Sequence, residues 1–281
     1  MPSYATPTPL EYFATLVQTD DNFPLLEAAA SIAQDEFPFL DIEQLLEDMD
    51  WLLARLQRRI AADAAALQRL QVLNRFFFGD LGFGGNASHY RHPENSYLHS
   101  VFYAHQGIPI SLGVLWMELA QGVGLHVRGV AFPGHFMVKA LLPKGQVVID
   151  PFTGQSLSRE DLTQRLEPYR YRMDASTGEM PLGLYLQAAK PREIVAGILH
   201  SLEEIYRDGQ NWHRLIAVQN RLIVLLPQVW TQYRDRGLAH AACGHSTLAV
   251  RDLQNYLAHA TGGSDIAAIA RHVSVLQSAK R

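Results

Sequence analysis

Apolar residues recur at helical spacing at both ends of the chain and at strand spacing in its middle. The first third carries three such stretches, "TPLEYFATLV", "FPLLEAAASIAQDEF" and "DIEQLLEDMDWLLARLQRRI". In the last, Ile42, Leu45, Leu46 and Met49 share one face at i, i+3, i+4, i+7, and Asp41 stands where an N-cap belongs. The segment "FFFGDLGFGGNASHYRHPENSYLHS" is too punctuated for a long helix and too aromatic for a linker, and is predicted as an ordered loop. After it, Asn95 or Ser96 is expected to cap a short helix buried through Leu98, Val101 and Phe102. Gly107 is expected to end that helix in the left-handed region, and Pro109 to open the next. That second helix presents Leu112, Leu115, Trp116 and Leu119 as its buried stripe and should stop near Gly122 and Gly124.

The period then falls to two. "LHVRGVAF", "GHFMVKALL" and "QVVIDPF", separated by "PG" and "PKG", predict three strands in an antiparallel meander. Beyond residue 190 the chain is helical again, in five amphipathic stretches. A 34-residue spacing brings Tyr206 onto His240, Leu215 onto Ala249, Leu222 onto Tyr256 and Pro227 onto Thr261, as in tetratricopeptide pairs. Leu215 in a small-residue position and Gly237 inside a helix fit that pattern poorly, and a plain helical bundle meets the same spacing. The fold class expected is α+β and mainly helical, with a core over residues 1–185 and an all-helical part over 186–281.

Composition narrows the function. With 281 residues, 48% of them hydrophobic, the chain can bury a large core, and a net charge of −4 without any Lys/Arg run argues against nucleic acid or an anionic membrane as partner. No apolar run reaches the length of a membrane span, and "MPSYATPTPL" has neither the basic start nor the apolar core of a signal peptide. The single cysteine, Cys243, excludes an internal disulfide and agrees with a reducing compartment, so the cytoplasm is the expected location.

Three polar residues stand at informative places in the α+β segment. Ser111 lies in the first turn after Pro109, His135 enters the second strand and Asp150 ends the third. A nucleophile in a first helical turn meets the positive end of the helix dipole and free N–H groups, which favour a developing anion. Adjacent strands can supply a base and an orienting acid, since His135 shares a face with Met137, and Asp150 with Val148. Each residue alone also has an ordinary reading, as a local cap, a turn histidine and a strand-ending Asp-Pro. Other signals are weaker. "GDLGFGGN" lacks the Lys-Ser/Thr of a phosphate loop and reads as turns, while His99 and His105 read as polar helix positions. His89, His92 and Glu94, and separately His240, Cys243 and His245, have metal-ligand residue types without the spacing of a complete site, so no metal or cofactor is expected.

The order "NSYL", "GIPISL", "FPGHF", "IDPF", dense between Asn95 and Ser158, resembles the SirB family of bacterial proteins, a branch of the transglutaminase-like superfamily whose members commonly carry tetratricopeptide-like helices after the core. The resemblance implies a papain-like Cys-His-Asp arrangement, answered here by Ser111, His135 and Asp150, with Asn95 and Tyr97 as candidate binding residues. The departure is the nucleophile, because Cys243 lies far along the chain in the helical part. A serine cannot form the thioester of a transglutaminase and must lose its proton during attack. The resemblance therefore implies a degenerate enzyme fold in a regulatory or adaptor protein, binding a protein partner through the helical tail. The alternatives are a serine-dependent hydrolase or acyltransferase and, more weakly, a metal-dependent enzyme using the His-rich loop.

Overall fold

The computed structural model describes residues 7–170, 181–260 and 262–278. Two compact units emerge. One is drawn from Met1–Phe23, Gln34–Pro38 and Leu199–Arg281, the other from Pro24–Ala33 and Phe39–Ile198.

The second unit carries the α+β segment. Its helices are α2 (Leu25–Ser31), α3 (Ile42–Gln57), α4 (Ala66–Asn74), α5 (Leu98–Ala104), α6 (Pro109–Gly122), α7 (Arg159–Arg170) and α8 (Leu182–Tyr185). Asp41 caps α3 as expected, its carboxylate accepting from the Gln44 N–H at 3.1 Å. α6 is buried nearly all round, from Pro109 to Met117 and again at Leu119 and Ala120, so it forms the centre of this unit rather than one of its faces. Against it lies a four-stranded antiparallel sheet, with β3 (His126–Phe132), β4 (His135–Leu142), β5 (Gly145–Ile149) and β6 (Ser156–Leu157) in sequence order. The three expected strands are the first three of these, and the short fourth adds to them. A Cβ on Gly113 would stand 2.6 Å from the Phe136 ring, so glycine lets α6 approach β4 closely. The opposite face of the sheet packs Val130, Phe132, Met137 and Val148 on Leu162 and Leu166 of α7.

Three local expectations are corrected. The segment after α4 begins as a π-helical turn, Arg75–Asp80, which buries Phe76 and Phe77. Neither Asn95 nor Ser96 caps α5: residues Pro93–Asn95 form a 3-10 turn, and the N-cap is Tyr97, whose side chain does not cap the helix. The left-handed residue ending α5 is His105, φ 57°, not Gly107. A bond of 2.6 Å between His105 Nδ1 and Leu81 O, and its ring 4.3 Å from Phe83, hold it there. Gly107 serves another purpose, since a Cβ there would lie 2.8 Å from both Ser111 Oγ and a Val101 methyl.

The first unit is all-helical over its described residues, with α1 (Pro9–Leu16), α10 (Trp212–Leu225), α11 (Trp230–Ala242), α12 (Ser246–His259) and α13 (Ile266–Ser278), while α9 (Pro191–Asp208) runs across the division. Arg221, fully buried, ties its stretches together: it pairs with Asp35 at 3.0 Å, donates to Pro9 O at 3.4 Å and lies over the Phe13 ring. Gly237 has a clear purpose, because a Cβ would meet Leu253 at 2.8 Å where α11 crosses α12. Arg236 locks the same crossing with two 2.7 Å bonds to the buried Asp252. Among the described residues, no helix is long and apolar enough to cross a membrane.

Candidate active site

The histidine and the aspartate meet. Continuing the β4–β5 register by one residue sets Asp150 opposite Met137, the diagonal neighbour of His135, and His135 Nε2 lies 2.8 Å from Asp150 Oδ1. A carboxylate only accepts, so Nε2 carries the proton and Nδ1 is the nitrogen left to act as a base. Asp150 is 1% exposed, and the same Oδ1 accepts from the Phe152 N–H at 2.9 Å. Burial pushes its carboxyl up, but the bond and charge of His135, the Phe152 N–H and the Arg165 guanidinium outweigh it and hold the group below the ordinary aspartate range.

Arg165 is the member that sequence reasoning missed. Its Nη2 lies 3.0 Å from Asp150 Oδ2, so the carboxylate is shared between an imidazole and a guanidinium. One turn along α7, the Tyr169 hydroxyl sits where a Cβ of Gly134 would be, 1.6 Å away, over the turn that leads into His135. Nothing in "SREDLTQRLEPYR" marks Arg165 above its neighbouring charges; only the packing of α7 on the sheet singles it out.

Ser111 is elsewhere. As the third residue of α6 it is fully buried, and its Oγ donates to Asn95 O at 2.6 Å and Ile108 O at 2.9 Å. His135 leaves β4 on the same side as Met137, the α7 side, whereas Phe136 and Val138 point at α6. The serine and the histidine therefore belong to opposite faces of the sheet, and no hydrogen bond joins them. Asn95, 4% exposed, spends its side chain on the preceding loop: Nδ2 donates to His89 O and Tyr90 O, and Oδ1 accepts from Asn86 at 3.1 Å. Tyr97 is 5% exposed, at the start of α5.

The glycine-rich stretch connects these parts. Gly84 and Gly85 pair in parallel with Gln106 and Gly107, and the Asn86 N–H donates to Gly107 O. The Gly85 N–H donates to Phe152 O at 2.8 Å, and a Cβ on Gly85 would fall 2.2 Å from the Phe152 ring. "GFGGN" is thus a strap from the Ser111 corner to the Asp150 loop, and it brings "NSYL", "GIPISL" and "IDPF" into one hydrogen-bonded assembly. Among the described residues, no group of three or more His, Cys, Asp or Glu side chains could hold a metal ion.

Comparison with known proteins agrees with this architecture. The transglutaminase-like superfamily profile matches residues 43–200, and a tetratricopeptide repeat profile matches residues 202–273. A UPF0162 protein of Xylella fastidiosa is 35% identical over 85% of this chain and 84% of its own length. Another from Haemophilus influenzae is 27% identical over 77% and 79%, and UPF0162 protein YchA of Escherichia coli K12 is 24% identical over 83% and 86%. No solved structure matches. The chain belongs to the UPF0162, SirB-like family of bacterial proteins, with a transglutaminase-like core followed by tetratricopeptide-like helices.

Proposed function

We propose that this chain is a non-catalytic regulatory or adaptor protein, in which residues 1–185 form a degenerate transglutaminase-like module and residues 186–281 bind a protein partner. The observation that carries this reading is Ser111. Its one hydroxyl proton is shared between two backbone carbonyls in a fully buried site, while the His135 imidazole is bonded to Asp150 instead. Such a hydroxyl has no acceptor for its proton during attack on a carbonyl, and no solvent-facing path for a substrate. Tetratricopeptide arrays stack helix pairs into extended binding surfaces, which supports the tail as the interacting part.

One observation favours the second reading, a serine hydrolase: the His135–Asp150 pair has the spacing of a base and its orienting acid. Treatment of the full chain with a serine-directed fluorophosphonate separates the two. The adaptor reading expects no adduct on Ser111. An adduct present in the native chain and absent from Ser111→Ala would establish a reactive serine.

A further inference from the structure

The turn between α11 and α12 holds a pair of histidines that the site above does not use. Three backbone bonds close it: Cys243 N–H to Ala239 O, Gly244 N–H to Ala241 O at 3.0 Å and His245 N–H to His240 O at 2.9 Å, with Gly244 left-handed at φ 76°. This is a Schellman helix end, whose geometry presses the side chain two residues past the cap against the one three residues before it. Those two side chains are frequently apolar; here both are imidazoles. His240 Nδ1 and His245 Nδ1 stand 3.4 Å apart, with ring centroids 5.7 Å apart. Two nitrogens bound to one metal at 2.0–2.1 Å with a tetrahedral angle are separated by about 3.4 Å. The closed turn brings the two side chains onto one another, with His240 buried at 9% exposure.

We propose that His240 and His245 form a two-nitrogen chelate for a borderline divalent transition ion of the zinc, nickel or copper class, with water completing its coordination. Imidazole is a ligand such ions prefer over the oxygen donors suited to magnesium or calcium. Without metal, one Nδ1 must donate its proton to the other across the 3.4 Å gap. Metal entry moves that proton to Nε2 of the same ring, leaving both Nδ1 lone pairs on the ion with no net proton release. His245 is exposed, which gives the ion a way in, and the His213 ring from α10 stands 6.3 Å from it.

Calorimetric titration of the full chain with zinc chloride or nickel chloride tests this, because the chain has twelve histidines and the others serve as controls. Saturable binding of one ion is expected, with affinity falling by about 100-fold in His245→Ala, since losing one ring removes the intramolecular second bond. His240→Ala should behave alike, but it alters a buried position. His245→Ala is the decisive variant: its side chain is exposed, and its backbone bond to His240 O survives, so the metal-free chain should still melt cooperatively, with a melting temperature lowered only by the loss of the ring contact. Imidazole nitrogen spectra should show both rings in the Nε2–H form after metal addition, the ring that donated at Nδ1 being the one that shifts. Unchanged affinity in His245→Ala, or an equal loss in a His89→Ala/His92→Ala double variant, would overturn the proposal.

Discussion

Replacing Ser111 with alanine has opposite consequences under the two readings of that residue. The hydroxyl donates to Asn95 O and Ile108 O, and neither carbonyl is orphaned when it goes: Asn95 O keeps the Ile108 N–H at 3.2 Å, and Ile108 O keeps the Leu112 N–H at 3.1 Å. The loss is therefore one intramolecular hydrogen bond, about 1 kcal/mol, with no added penalty for an unsatisfied buried group. The small void left against Gly107 adds little, because a single oxygen is removed. A structural serine thus predicts that Ser111→Ala lowers the stability of the core by about 1 kcal/mol, read as a lower urea midpoint with unchanged slope. A serine kept for chemistry predicts the reverse, since replacing functional groups commonly leaves a fold equally or more stable. A variant whose midpoint equals or exceeds that of the native chain would refute the structural assignment, even if no activity had been found.

Asp150→Asn should cost about 2 kcal/mol, below the full value of a buried ion pair because Arg165 and His135 are partly exposed. The same carboxylate should impose a pH dependence: with its folded pKa depressed, its stabilisation is complete above the ordinary aspartate range and is lost as pH falls through the folded value. The acid limb of the stability curve below about pH 4 should therefore be shallower in Asp150→Asn, and equal slopes would remove Asp150 from the account. Gly134→Ala should destabilise by about 2 kcal/mol, from a left-handed φ of 70° and collision with the Tyr169 hydroxyl. Adding Tyr169→Ala should recover only the collision part, measured as the difference between the two melting curves. Gly85→Ala should lose about 1–3 kcal/mol by forcing the strap off the Phe152 ring. Native-like stability in that variant would mean the strap is not held there.

Much of the fold was legible because it depends on periodicity. The helix from Pro109 to Gly122, the strands around "GVAF", "HFMV" and "VVI", the Asp41 cap and the 34-residue recurrence, buried at Tyr206 and His240, Leu215 and Ala249, Leu222 and Tyr256, are all one-dimensional signals, while of the fourth pair Pro227 is exposed and Thr261 lies outside the described residues. Local patterns misled where a tertiary contact overrode propensity. Gly107 has the signature of a helix terminator, yet its missing Cβ is needed to admit Ser111 and Val101, while His105 takes the left-handed position because Leu81 and Phe83 hold its ring. "GFGGN" read as turns because nothing in it reports Phe152, 67 residues after Gly85.

The sequence by itself determined which residues could form a His-Asp pair and that no cysteine stands beside them. It could not determine what Ser111 faces, because alternation along β4 and rotation along α6 become a relation between side chains only once the helix is laid on one face of the sheet. That packing sends His135 toward α7 and Ser111 toward the Asn95 carbonyl. The same holds in the tail: "HAACGH" shows two histidines five residues apart, but only the folded α11–α12 turn brings their Nδ1 atoms to 3.4 Å.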